Sequence, residues 1–260
     1  MLARDFPFFD RRFIAMAHRG GWVTPAEEAR ENTLHAFSAA VGLGYRYIET
    51  DVRTTADGQI VVFHDATLDR VSDAKGTIGD HTLAELRDVR IAGLDPIPLL
   101  AEVLEEFPRT RFNIDLKDDR SPGAVAGLLR RHASGGRVCV SSFSGTRMRA
   151  FRRLAPQVPT GVTPFGVAWT GFAPLLRRLR IDSGVVLQVP ARVAKKWVPL
   201  VRPDVVNFAH ATGRLVHVWT VDDSAEMEQL VGVGVDGLIS NDITALKQVL
   251  IGHGLWEDAA

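Results

Sequence analysis

Apolar runs of strand character alternate with amphipathic runs along most of the chain, and this alternation constrains the fold more than any other feature. Strand-like runs fall at residues 13–18, 46–53, 59–64, 111–117, 137–143, 159–163, 184–190, 215–221 and 235–240. Helical patterns fill most of the intervals, at 33–44, 99–107, 123–132, 146–155, 193–201, 225–234 and 243–251. Parallel strands need a crossover connection, and a helix is the usual one, so the pattern predicts a parallel α/β architecture. About eight such units in a chain of 260 residues favour a closed TIM (β/α)8 barrel over an open sheet, as one domain over residues 1–260. Nine runs compete for eight staves, and one of 159–163 and 184–190 is expected to lie outside the ring. Residues 65–98 lack clear periodicity and read as an irregular excursion after the third strand.

Thirty-one Lys and Arg balance thirty-one Asp and Glu, so no charge excess points to nucleic acid or an anionic membrane surface. Cys139 is the only cysteine; it has no internal disulfide partner and suits a reducing compartment. The first thirteen residues carry charges throughout and lack the apolar core of a signal peptide, which gives a cytoplasmic expectation. The longest uncharged run, residues 158–176, is broken by Pro159, Pro164, Pro174 and three glycines. It is expected to form no transmembrane segment and no continuous helix. A buried strand followed by an apolar loop is one reading of this run. A hydrophobic lip beside a substrate mouth, using Phe165, Trp169 and Phe172, is the other.

Barrels of this kind gather their chemistry at the carboxyl ends of the strands. His18 and Arg19 end the first strand, and Gly20 and Gly21 leave room for a turn. One histidine at a strand end is ordinarily a structural hydrogen-bonder, so the other strand ends must decide. In YIETDVR, period-two geometry puts Glu49, Asp51 and Arg53 on one face; in NIDLK it does the same for Asn113, Asp115 and Lys117. Three carboxylates in one interior repel unless compensated. Two compensations are open: a hard divalent cation, Mg²⁺ or Ca²⁺, suited to the oxygen-only set Glu49, Asp51 and Asp115, or a salt-bridge network with Arg19, Arg53 and Lys117. The cation is preferred, because burying this much charge for stability alone is unfavourable. QIVVFHD ends a further strand at His64. Only about five residues precede it after Arg53, short for a helical crossover. A two-residue Asp57-Gly58 hairpin turn would set His64 opposite Asp51, and a parallel strand would also deliver it to the carboxyl end.

Two imidazoles, a carboxylate set for a metal, an arginine and a lysine suit a phosphodiester: the cations face the phosphate oxygens while the imidazoles serve as base and acid. No G-x-S-x-G, P-loop, strand-following G-x-G-x-x-G or Cys/His metal spacing competes.

In the stretches AHRG, ENT, YIETDVR, DGQIVVFHDATLDR, IPLLAEVLEEF, NIDLK, VSSF, VHVWTV and GVDGLIS, taken in order from about residue 14 to 250, the sequence resembles the glycerophosphodiester phosphodiesterases of the phosphatidylinositol-phospholipase-C-like barrel group. The resemblance implies that His18 and His64 are the catalytic acid/base pair. It makes Glu49, Asp51 and Asp115 ligands of one divalent cation, with Arg19 and Lys117 on the phosphate and Trp219 lining the site. Asn32 matches the asparagine of ENT at the mouth, although capping a helix that begins near Thr33 would explain it equally well. The implied reaction cleaves a glycerophosphodiester, the small-molecule partner, to glycerol 3-phosphate and an alcohol. One route it allows begins with attack by the glycerol 2-hydroxyl and passes through a cyclic phosphate. Two departures stand out. The family usually has glutamate where this chain has Asp115, a shorter reach that calcium's flexible shell tolerates better than magnesium's octahedron. It also commonly has threonine and aspartate where this chain has Ser240, Asn241 and Asp242. A lysophospholipase D-like enzyme, with the 158–176 lip on an acyl chain, is the alternative within the group. A barrel that binds phosphorylated ligands without turnover is the alternative outside it, and the presence of both histidines and all three acids argues against that one. The oligomeric state is not set by any of these features.

Overall fold

The computed structural model describes residues 1–172, 181–191 and 200–257. In chain order the strands are β1 (Ile14–Trp22), β2 (Tyr47–Thr54), β3 (Ile60–Val62), β4 (Arg90–Ile91), β5 (Asp95–Pro96), β6 (Arg111–Leu116), β7 (Val138–Ser141), β8 (Val186–Pro190), β9 (Leu215–Trp219) and β10 (Gly237–Asp242). The α-helices are α1 (Leu34–Gly42), α2 (Leu83–Leu86), α3 (Leu100–Glu106), α4 (Ser121–Arg131), α5 (Gly145–Leu154), α6 (Pro164–Phe172), α7 (Pro203–Ala211), α8 (Ser224–Val233) and α9 (Ile243–Gly252). The helix expected at 193–201 falls largely outside the described residues.

Parallel pairing runs β7-β6-β2-β1-β10-β9-β8. Residues 160–161 close the ring: Thr160 bridges Val140 of β7 and Gly161 bridges Val186 of β8, both parallel. This is the TIM barrel, and it corrects the expected choice between 159–163 and 184–190, because both belong to it. The run outside the ring is 59–64, whose β3 lies antiparallel on β2. A stave that pairs through two residues leaves little pattern, whereas Ile60–Val62 reads as a full strand.

The connection from β2 to β3 is a hairpin, one residue longer in its turn than Asp57-Gly58 alone. Thr55 N donates to Gln59 O at 2.9 Å, and Gly58 turns the chain at φ 81°. The pairing is therefore Val52 with Val62 and Arg53 with Val61, which places Phe63 rather than His64 opposite Asp51; Phe63 N donates to Asp51 O at 3.0 Å. One added residue moves the register by one, the ordinary consequence of a three-residue hairpin turn with glycine in the left-handed position.

Alternate residues of each stave face the helices or the barrel interior. The lower interior is apolar: Ile14, Met16, Tyr47, Cys139, Val186 and Ile239 pack together with Phe8 from the segment before β1. Phe8 meets the Tyr47 ring edge-on at 5.3 Å, and Tyr47 Oη donates to Phe8 O at 2.7 Å. Each large side chain buried there stabilises the fold by ~1.5–3 kcal/mol. Polar side chains are left for the upper, carboxyl end. The excursion at 65–98 is compact, with its own cluster of Phe63, Leu68, Val71, Ile78, Leu86 and Ile91.

Two helices around the barrel differ from expectation, and the one-turn α2 lies inside the 65–98 excursion. Residues 164–172 form α6 rather than an apolar loop, because Pro164 stands in the first turn, where no intrahelical N–H is needed. Thr163 supports this start, Oγ1 accepting from Gly166 N at 3.3 Å. The second is α7, whose signal was a proline at its start and Gly213 beyond its end.

Candidate active site

The staves open at their carboxyl ends into a cavity of about 450 Å³ lined by His18, Arg19, Glu49, Asp51, His64, Asp115, Lys117 and Trp219. The histidines, the three acids, Arg19, Lys117 and Trp219 singled out from sequence are therefore on one surface; Arg53 and Asn32 are not part of it. Asn32 lies just behind it, 1% exposed. Its Nδ2 donates to Asp51 Oδ2 at 3.0 Å, and its Oδ1 accepts from Thr50 Oγ1 at 2.7 Å. The helix cap is Thr33, whose Oγ1 accepts from Ala36 N at 3.2 Å, so Asn32 serves the carboxylate and not the helix.

The His-Arg-Gly-Gly turn is a left-handed passage of backbone, with φ 54° at Arg19, 90° at Gly20 and 66° at Gly21. A side chain on Gly20 would place its Cβ 2.7 Å from Ala36 Cβ, and one on Gly21 would stand 2.7 Å from Asn241 O, so glycine is required twice. Arg19 is not glycine and carries strain of about 1–2 kcal/mol there. In return its N–H points at Glu49 Oε2, 3.3 Å away, and its carbonyl accepts from Asn32 N at 2.8 Å.

Charge is distributed unevenly over the three acids. Lys117 Nζ lies 2.9 Å from Asp51 Oδ1 and 2.6 Å from Asp115 Oδ2. Arg19 Nε is 3.1 Å from Asp51 Oδ2, an ion-pair contact without hydrogen-bond alignment. Burial by itself would raise the Asp51 carboxyl, but Lys117 and Arg19 outweigh it and hold the group at about 2. Glu49 is pushed well above the usual carboxylate range by burial and then by Asp51, and Asp115 is raised by burial, which Lys117 only partly offsets. Among the described residues no three His, Cys, Asp or Glu side chains form a cluster tight enough to hold a metal; the Lys117 ammonium stands between two of the acids. The donor chemistry nevertheless fits a hard cation. Asp115 Oδ1 is buried with no hydrogen-bond partner among the described residues, and a Glu49 this desolvated needs either a proton or positive charge beside it.

Each catalytic-candidate histidine has its Nδ1 occupied. His18 Nδ1 lies 2.6 Å from Asn241 Oδ1, and His64 Nδ1 lies 2.6 Å from Asp65 Oδ1. Burial, followed by the neighbouring Arg19 charge, lowers the His18 pKa. Asp65 is held in turn by Arg70 Nε at 2.5 Å; Arg70 reaches Glu31 at 2.6 Å, and Glu31 reaches Arg19 Nη1 at 3.0 Å. Sequence reasoning missed Glu31, Asp65, Arg70 and Asn241. Glu31, Asp65 and Arg70 stand inside the quoted motifs; Asn241 was noticed only as a departure. Arg53 donates through Nε to His64 O at 2.9 Å, so it positions the His64 backbone and does not pair with the acids.

The other half of the cavity is apolar: Phe143, Val162, Pro164, Val167, Leu200 and Trp219 line it. Phe143 and Trp219 meet edge-on at 5.7 Å. Phe165 is 71% exposed and, like Trp169, is not part of the lining; Pro164, Val167 and Ala168 represent α6 there. The reading of residues 158–176 as an aromatic lip is thus not met by Phe165 and Trp169, smaller side chains of the same helix lining the cavity instead, and the Phe172 side chain lies outside the described residues.

Residues 18–245 match the model of the "Glycerophosphoryl diester phosphodiesterase family". The chain belongs to that family. It is an enzyme of the phosphodiesterase class. It is 38% identical over 95% of its length to "Probable glycerophosphodiester phosphodiesterase 2" of Mycobacterium tuberculosis, 94% of which is covered. It is 27% identical over 92% of its length to rat "Lysophospholipase D GDPD1", of which 87% is covered. Among solved structures it is similar to an Oleispira antarctica phosphodiesterase in complex with the product sn-glycerol-3-phosphate, with a TM-score of 0.76, 25% identity, and coverage of 92% of this chain and 96% of that one. Among the described residues, no helix is long and apolar enough to cross a membrane.

Proposed function

We propose that this chain, acting as one domain, hydrolyses glycerophosphodiesters to glycerol 3-phosphate and an alcohol by histidine acid–base catalysis. The observation that carries the reading is that His18 and His64 line the same cavity as Arg19 and Lys117, each with its Nδ1 bonded away from that cavity's contents. Arg19 and Lys117 bind the nonbridging phosphate oxygens. One imidazole takes the proton of the attacking glycerol 2-hydroxyl as the new O–P bond forms, and the other protonates the alcohol oxygen as the old P–O bond breaks; water then opens the cyclic phosphate, giving its proton to the second imidazole as its oxygen bonds to phosphorus, while the first returns its proton to the departing 2-oxygen and glycerol 3-phosphate is released. Glu49, Asp51 and Asp115 are the residues that would hold Ca²⁺ or Mg²⁺. When bound, such an ion supplies positive charge against the developing oxyanion. A reducing, cytoplasmic setting agrees with the single cysteine, which is buried in the barrel.

The test is release of glycerol 3-phosphate and choline from glycerophosphocholine. Turnover by the wild type that is lost in His18→Ala and His64→Ala supports the reading; a wild type without activity on any glycerophosphodiester overturns it. The apolar half of the cavity favours a second reading, in which a lysophospholipid loses its head-group alcohol while its acyl chain lies against Val167 and Leu200. Choline release from lysophosphatidylcholine at a rate above that from glycerophosphocholine would select it.

A further inference from the structure

β1 and β10 run parallel with Ala17 beside Ser240, so the next residue on each stave, His18 and Asn241, come side by side at the mouth. Asn241 is bonded on both sides of its amide. Its Nδ2 lies 2.9 Å from Asp222 Oδ2 and its Oδ1 lies 2.6 Å from His18 Nδ1. Asp222 is fixed from the loop before α8: Oδ1 accepts from Asn241 N at 2.8 Å and from Ser240 Oγ at 3.0 Å.

With the His18 ring neutral, this chain of partners has only one self-consistent hydrogen arrangement. A carboxylate accepts and does not donate, so the amide must present its NH₂ to Asp222. Its oxygen must then face His18, and an oxygen there requires a proton on Nδ1. The His18 lone pair is left on Nε2, the nitrogen 3.8 Å from Glu49 Oε2 and on the cavity side. The opposite tautomer would set two lone pairs against each other at hydrogen-bond distance.

We propose that Asn241, oriented by Asp222, is a positioning residue that locks His18 in the Nδ1–H tautomer, so that this imidazole meets substrate as the proton acceptor. Its catalytic consequence rests on the phosphodiesterase reading above; the tautomer itself does not. The Ser-Asn-Asp ending of β10 acquires a chemical role: the neutral amide of Asn241 specifies direction by borrowing the polarity of Asp222.

The experiment uses the full chain with ¹⁵N-labelled histidine. In the wild type, with the ring neutral, His18 is expected to show a protonated Nδ1 and an unprotonated Nε2. In Asn241→Leu the two nitrogens should move toward a mixture of tautomers. In Asp222→Ala, a solvent-exposed change that spares the barrel, the amide is free to turn over and a smaller movement in the same direction is expected. With glycerophosphocholine, kcat should fall by roughly 10- to 1,000-fold in Asn241→Leu and less in Asp222→Ala, with KM held within about threefold, since a wrong tautomer blocks proton transfer without removing a substrate contact. An unchanged His18 tautomer in both variants overturns the proposal, as does a changed tautomer with unchanged kcat. A wild type inactive on every phosphodiester would fail the functional reading while the nitrogen resonances still decide the lock.

Discussion

The two halves of the cavity are built from the same barrel and behave oppositely. On the half made by β1, β2 and β6, nearly every inward side chain at the strand ends is ionisable and each is held by another: Lys117 by two acids, Arg19 by Asp51 and Glu31, His64 by Asp65. On the half made by residues 160–161, β8, β9 and α6, the lining is Val162, Pro164, Val167, Pro190 and Trp219, with Gln188 reaching across to Asn113 at 2.9 Å. Buried charges fix geometry because each misplacement leaves a desolvated ion unpaired. Apolar contacts tolerate adjustment. The charged half is therefore expected to set the reaction, and the apolar half to set which alcohol is accommodated.

The largest effect that could break this division is on the histidines. His18→Ala and His64→Ala are each expected to lower turnover by roughly 10²–10⁴-fold, with thermal midpoints near that of the wild type because neither side chain belongs to the apolar core. A variant that keeps near-normal turnover on glycerophosphocholine would reduce that histidine to a structural partner of Asn241 or Asp65.

Next in size is the choice between ion and network. If Glu49, Asp51 and Asp115 hold a divalent cation, treatment with a chelator should cost about a hundredfold or more in rate, restored by adding Ca²⁺ or Mg²⁺ back. Full activity in metal-free buffer would mean that Lys117 and Arg19 alone compensate these acids.

The charged half was legible in the sequence for a physical reason: ionisable residues repeating every second position at the end of an apolar run have no core explanation, so Glu49, Asp51, Asp115 and Lys117 announce themselves. The apolar half was not, because Val162 or Val167 at a strand or helix end looks like any core residue, and Trp219 was named only through the family resemblance. Architecture follows the same logic. Apolar runs found all eight staves, 159–163 among them, but not that 59–64 folds back antiparallel on β2 outside the ring, and α6 was hidden by Pro164, whose place in the first helical turn is visible only with Thr163 as its start. Asn241 was unreadable because its meaning depends on β1 lying beside β10, a contact between residues more than two hundred positions apart.

A smaller, stability-level effect tests the apolar half from beneath. His217 on β9 is fully buried, neither ring nitrogen has a hydrogen-bond partner among the described residues, and burial lowers its pKa to about 3. In the unfolded chain the same imidazole titrates near 6.5. Between about 6.5 and 3 the unfolded state binds a proton that the folded state refuses, so stability should fall as pH falls, by up to ~1.4 kcal/mol per unit from this group, and be unaffected by it above that window. Denaturant midpoints across pH should show this slope flattened in His217→Leu. An identical slope in the variant would assign the acid sensitivity elsewhere.

The smallest expected effect bears most directly on the comparison. Phe143 is 63% exposed, lines the cavity and packs edge-on against Trp219, while Lys117 Nζ lies 5.7 Å from the centre of its ring; it is the aromatic that joins the two halves. Removing an exposed ring costs little stability, so Phe143→Ala reads substrate contact rather than folding. If the apolar half holds an acyl chain, losing this contact should reduce kcat/KM for lysophosphatidylcholine by roughly three- to tenfold, the equivalent of about 1 kcal/mol of partly buried apolar area. Glycerophosphocholine, which ends at the charged half, should be affected less than twofold. Phe165→Ala supplies the control, since its ring is exposed on α6 outside the cavity and should alter neither substrate. Equal losses on both substrates in Phe143→Ala would place the ring's influence on Lys117 and the phosphate, and the apolar half would then be wall rather than lipid site.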